Sequence, residues 1–129
     1  MDTSGFAALF NARDGNHELA RRAWVRLWRD RIPVVTSLFV VDETVTLLQR
    51  RANHAVALAF AERALEQRFL PVLDVPDRVL ARALDLFRRS SGLEFSFTDC
   101  TSFALMNEEQ IEVAFAFDED FRRAGFRTL

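Results

Sequence analysis

Three features of the 129-residue sequence predict an α/β fold with a mainly parallel sheet and helices on both faces, a three-layer arrangement. Short apolar runs ("PVVTS", "LPVLDV", "IEVAFAF") alternate with longer segments whose apolar residues recur at helical spacing. The run "IEVAFAF" has no polar alternation after Glu112, the pattern of a strand buried on both faces. Only 4 Gly and 3 Pro interrupt the chain, with no linker or repeat, so residues 1–129 read as a single domain.

The elements follow in order. Residues 4–11, "SGFAALFN", read as a short helix. A second helix runs from about Gly15 to Asp30, with Leu19, Ala20, Ala23, Trp24, Leu27 and Trp28 on one face. Pro33 breaks it and "PVVTS" is a strand. Ser37 caps a third helix through about Arg51, and "HAVALAFAERALEQRF" is a fourth. "LPVLDV" is the next strand, Pro76 and Asp77 open the helix "DRVLARALDLFRRS", and Gly92 ends it. Thr98 is read as the cap of a helix reaching about Asn107. "IEVAFAF" is then a strand, "DEDFRRAG" a last turn or short helix, and "FRTL" an edge strand.

Composition narrows the function. No segment has the length and apolarity of a membrane span or the layout of a secretory signal. The single cysteine, Cys100, excludes an intrachain disulfide, and a cytoplasmic protein is expected. A net charge of −2 argues against strong nonspecific nucleic-acid binding. All 17 cationic side chains are Arg. Without Lys there is no P-loop, and a phosphate-accepting receiver domain also lacks its lysine. His17 and His54 have no partner at metal-ligand spacing, and no GxSxG elbow is present.

Four acids fall where parallel α/β sheets place ligands, beyond the carboxyl ends of strands and at helix starts. Asp2 precedes the first helix, and Glu43 lies in the third on the side of Val40 and Leu47. Asp99 begins the "TDC" helix, and Asp118 ends "IEVAFAF". Alone, Asp2 also reads as a frayed terminus, Asp99 as a cap, Glu43 as an exposed helix acid beside Asp42, and Asp118 as a turn former. Together at one sheet edge they point to a site. Clustered carboxylates repel, and a hard divalent cation such as Mg²⁺ relieves the repulsion. Its natural use is to activate water against a phosphodiester.

The segments "DTSGFAALFNARDGNHELA", "PVVTSLFVVDETVTLLQRR", "LEFSFTDCTSFALM" and "IEVAFAFDEDFRRAGF" resemble the four sequence blocks of PIN domains. The nearest likeness is to bacterial nucleases of the VapC toxin type. The resemblance spans nearly the whole chain and carries the family's acids onto Asp2, Glu43, Asp99 and Asp118. It implies an endoribonuclease dependent on Mg²⁺ or Mn²⁺, with Asp2, Asp99 and Asp118 on the metal and Glu43 completing the catalytic set. Thr3, Ser4 and Thr98 resemble the family's polar supporting residues; Asp120, like Asp42, is either a support or surface. The implied partners are an RNA substrate (transfer RNA or another structured RNA), a cognate antitoxin and a second copy in a homodimer.

One departure stands out. Family members carry a central apolar strand before the first acid, whereas here only Met1 precedes Asp2. The expectation is a natural start a few residues upstream, or else a weakened fold that serves as a noncatalytic binding module. Arg13, Arg50, Arg51, Arg122 and Arg123 are candidate RNA contacts, with Arg122 and Arg123 favoured. Trp24 and Trp28 form a stripe suited either to an antitoxin helix or to core packing. Phe39, Phe60 and Phe69 are open to the same two readings as dimer contacts or core.

Overall fold

Side-chain caps start most of the helices in the computed structural model, which describes residues 1–66 and 70–129. Asp2 caps α1 (Thr3–Phe10), Ser37 caps α3 (Leu38–Arg51), and Asn53 caps α4 (His54–Leu65). Helices α2 (His17–Arg29) and α5 (Asp77–Arg89) begin after Asn16 and Pro76 without a side-chain cap. Helix α6 (Phe97–Glu108) starts with a capping box: Ser96 accepts from the Asp99 N–H while the Asp99 carboxylate accepts from the Ser96 N–H. Ser96, not Thr98, is therefore the cap. Its short side chain stands in extended backbone just outside the helix, whereas Thr98 already lies inside it.

The strands are shorter than the apolar runs that announce them. β1 (Thr36–Ser37) pairs in parallel with β2 (Val72–Leu73), and β3 (Val113–Ala114) pairs in parallel with β4 (Arg127–Thr128), while α7 (Asp120–Arg123) lies between β3 and β4 in sequence. The α/β class and the parallel pairing match the sequence reading. The single continuous sheet does not: among the described residues it is two separate pairs. Met1 and Asp2 stand between them. The Asp2 N–H donates to the Phe115 carbonyl at 3.1 Å, the Met1 amine to the Val35 carbonyl at 2.5 Å, and Thr36 Oγ1 to the Met1 carbonyl at 2.9 Å. A mostly apolar cleft of about 370 Å³ lies beside these two residues, lined by Val34, Val35, Val113 and Phe115 among others. The "IEVAFAF" ladder is short for the same reason. Ala114, Phe115 and Ala116 are buried, but Val113 is exposed on a stretch with a partner on one edge only.

Four apolar clusters hold the helices against these strands. Phe6, Val40, Val41, Leu48 and Phe60 bind α1 to α3 and α4, with Phe6 and Phe60 edge to face at 4.9 Å. Val79, Ala83, Cys100 and Ala104 join α5 to α6, and Glu108 accepts from both Arg78 and Arg82 at the far end of that pair. Phe103, Ala116 and Phe121 join α6, the β3 segment and α7, and Ala8, Ala20 and Phe115 join α1, α2 and that same segment. Phe60 is thus core rather than a dimer contact. Phe39 is half-buried, with its ring centroid 6.1 Å from Phe97, and Phe69 lies outside the described residues. Trp24 packs partly into the core while Trp28 is 70% exposed. No helix is long and apolar enough to cross a membrane among the described residues.

Candidate active site

Asp2, Glu43, Asp99 and Asp118 line one polar cleft of about 560 Å³, together with Thr3, Ser4, Ser96, Leu47 and Asp120. Each acid arrives on a different element, and each carboxylate has one oxygen held by a neighbour. Asp2 Oδ2 accepts from the Ser4 N–H at 2.9 Å and from Ser4 Oγ at 2.8 Å. Glu43 Oε2 accepts from Thr3 Oγ1 at 2.5 Å. Asp99 Oδ2 accepts from the Ser96 N–H at 2.7 Å. Asp118 Oδ1 accepts from the Asp120 N–H at 3.2 Å. Asp2 is the cap of α1 rather than a frayed terminus, and Asp99 is the reciprocal partner of the Ser96 cap; both arrangements also fix the carboxylates in the cleft.

Ser4 does a second job. Its Oγ accepts from the Phe117 N–H at 3.0 Å, tying the start of α1 to the backbone one residue before Asp118. Gly5 completes that contact: a Cβ there would stand 2.6 Å from the Phe115 carbonyl oxygen, the same oxygen that takes the Asp2 N–H. Helix α1 therefore lies directly on the β3 segment because residue 5 has no side chain.

The electrostatics follow from burial and crowding. Asp2 is buried, and desolvation pushes its carboxyl up from the usual 3.8 to about 7, against the Ser4 hydrogen bonds and with help from the Asp118 charge. Burial also raises Asp99. The Ser96 hydrogen bonds oppose that shift, while the charges of Asp118 and Glu43 add to it. Asp14 and Glu94 also face the cleft, bringing the lining to seven carboxylates, and Arg51 is the one cation among the described lining residues.

The placement rule thus brought its four acids together and missed Asp14, Asn16 and Glu94. These come from loops that follow helices α1 and α5 rather than strands. Gly5 was also passed over, although a lone glycine inside an apolar helix signals a close backbone approach. Asp120 joins the cleft through its backbone bond to Asp118. Asp42 is exposed and does not line it. Of the candidate arginines, Arg122 pairs with Glu119 and Arg123 with Asp120, and neither lines the cleft.

The donor chemistry fits a hard divalent cation: carboxylate oxygens on several elements, with Asp2 and Asp99 raised first by burial and further by neighbouring carboxylates. The ligand set is not closed as it stands. Among the described residues no three acid, His or Cys side chains approach closely enough to hold an ion.

Comparison with known proteins agrees with this geometry. The PIN domain family model matches residues 1–127. The 23S rRNA-specific endonuclease VapC20 of Mycobacterium tuberculosis, in strains CDC 1551 / Oshkosh and ATCC 25618 / H37Rv, is 43% identical over 127 residues, covering 98% of this chain and 93% of the relative. The crystal structure of Mycobacterium tuberculosis VapC20, described as a Sarcin-Ricin loop cleaving toxin, superposes with a TM-score of 0.86 at 41% identity, over 97% of this chain and 93% of that one. With the four acids gathered in one cleft of an α/β fold, this chain belongs to the PIN domain family.

Proposed function

We propose that this chain is a metal-dependent endoribonuclease of the VapC type, the toxin of a type II toxin–antitoxin pair, acting on a structured RNA. The observation that carries the reading is the set Asp2, Glu43, Asp99 and Asp118 on one cleft, each carboxylate fixed through one oxygen. The relative's activity on 23S rRNA supports a ribosomal loop as the RNA class.

Asp2, Asp99 and Asp118 would hold Mg²⁺ or Mn²⁺, which would supply a polarised water and neutralise charge at the leaving oxygen. The protein does the rest. Thr3 occupies Glu43 Oε2, leaving Oε1 as the atom that takes the proton from the attacking water. Ser4 keeps Asp2 and the Asp118 backbone at a fixed separation, and Ser96 keeps Asp99 at the start of α6, where the helix dipole favours an anion. Thr98 lies in the first turn of α6 but neither lines the cleft nor bonds a site acid among the described residues.

The groove beside Trp24, Trp28, Ile32 and Pro71 suits an amphipathic segment of the antitoxin. The half-buried Phe39, with Phe87 and Phe97 and the exposed Leu38, suits the second copy of a homodimer. Both partners, and the RNA, fit a cytoplasmic protein.

The test is incubation of the purified protein with 23S rRNA, transfer RNA and an unstructured RNA, in Mg²⁺, in Mn²⁺ and in EDTA, beside Asp99→Asn. Discrete metal-dependent cuts lost in Asp99→Asn are expected. Cuts that survive the substitution, or none from a protein shown to be folded and metal-loaded, overturn the reading.

A further inference from the structure

We propose that Arg51 is the cation that receives the RNA backbone at this site, binding a phosphate beside the one that is cut. The inference rests on the nuclease reading and adds a substrate-binding residue to it.

On α3, Glu43, Leu47 and Arg51 recur every fourth position, and all three line the acidic cleft. Eight residues separate Glu43 from Arg51, about 12 Å along the helix axis. A polyanion drawn into a cleft of seven carboxylates is repelled along its whole length, except where metal or a fixed cation offsets the charge. Arg51 is the one such cation among the described lining residues. Its guanidinium is exposed and has no hydrogen-bond or ion-pair partner among them.

Arg13, Arg31 and Arg50 also have no side-chain partner among the described residues, but none of them lines this cleft. Arg21, Arg29, Arg78, Arg88, Arg123 and Arg127 are each engaged by a carboxylate. Arg51 shares its cleft with seven carboxylates and pairs with none of them among the described residues. A planar fork with free donors at the mouth of an acidic cleft suits a bidentate phosphate contact.

The structural alternative is that Arg51 only complements the carboxyl end of α3. Arg50 shares that last turn, also has no partner among the described residues, and does not line the cleft, so it is the control. Binding of a fluorescein-labelled ribosomal loop RNA is measured by anisotropy in EDTA, with Asp99→Asn as a noncleaving background. Steady-state cleavage is measured separately on the wild-type background.

Arg51→Gln is expected to weaken binding and raise KM about tenfold, the scale of one charge-assisted hydrogen bond, with kcat within about twofold. It should also reduce the salt slope of binding by about one. Arg51→Lys should recover part of the loss, and Arg50→Gln should bind like the parent. Unchanged binding in Arg51→Gln, a loss confined to kcat, or an equal loss in Arg50→Gln each overturns the proposal. If the parent binds RNA but cuts none, the nuclease reading fails while the binding arm still decides the role of Arg51.

Discussion

Thr3 and Glu43 are joined by a 2.5 Å hydrogen bond that spans 40 positions of sequence and links the first turn of α1 to α3. Without it, Glu43 is a half-buried side chain free to change rotamer. Thr3→Val, which keeps the shape and removes the donor, should lower cleavage by about 10- to 100-fold, the usual cost of losing a support behind a reacting group. Thr3→Ser should restore most of it. Full activity in Thr3→Val, measured at saturating metal, would sink this role.

Ser4 is expected to show a stability effect as well as an activity effect. Ser4→Ala removes a donor to Asp2 and strands the Phe117 N–H, which Ser4 Oγ now satisfies at 3.0 Å. Urea denaturation should report a loss of about 1–3 kcal/mol, the cost of an unsatisfied buried group. A midpoint that does not move would mean that water replaces the hydroxyl.

Gly5 reverses an ordinary rule. Inside a helix, Ala normally stabilises over Gly by about 1 kcal/mol. At residue 5 the added Cβ meets the Phe115 carbonyl oxygen at 2.6 Å, so α1 must move off the β3 segment and take Asp2 with it. Gly5→Ala should destabilise by about 1–3 kcal/mol and lose metal-dependent cleavage. A more stable Gly5→Ala protein, measured by thermal melting, contradicts the packing described above.

The Asp2 carboxyl sets a pH dependence whose sign can be worked out. Its folded value of about 7 lies above the ordinary 3.8, so the folded chain holds a proton that the unfolded chain has released. That contribution to stability is full below about 4 and fades as pH rises toward 7. The buried Met1 amine, lowered from 8.0 to about 6, works the opposite way between those two values. From pH 4 to 6 the raised Asp99 acts in the same direction as Asp2, so comparison with Asp2→Asn isolates Asp2. In EDTA, wild type should lose stability across that window relative to Asp2→Asn. Added Mn²⁺ should stabilise wild type more as pH rises, because the cation competes with the proton. Parallel melting curves for the two proteins would remove Asp2 as the source.

Thr44 offers the reverse experiment. Among the described residues its buried Oγ1 has no hydrogen-bond partner, although it adjoins Glu43 in sequence. Thr44→Val should raise stability by about 1 kcal/mol and leave cleavage unchanged. A drop in the melting temperature would show that the hydroxyl has an acceptor in solution.

Much of this was legible in the sequence, for physical reasons. Helix starts were read correctly at Ser37 and Asp77 because a capping side chain or a proline is a local signal. The four acids were found because topology fixes where strand ends and helix starts meet. Strand extent was not legible, since a ladder needs a partner on each edge and "IEVAFAF" has β4 on only one. The Thr98 cap failed by two residues because Ser96 and Asp99 form a reciprocal box, which depends on the backbone angle at Ser96. The difference between Arg51 and the paired Arg122 and Arg123 was also invisible, because nearby carboxylates decide it in space.

The tethers of Met1, Asp2 and Ser4 also bear on when the centre can exist. The Asp2 N–H donates to the Phe115 carbonyl, and the Ser4 hydroxyl accepts from the Phe117 N–H, 113 positions farther along the chain. A nascent chain released before that point carries Asp2, Glu43 and Asp99 but has neither Asp118 nor the backbone that seats the first acid. A chain that stops short of Phe117 is therefore expected to lack a seated acidic centre, which forms only once both ends of this span are present.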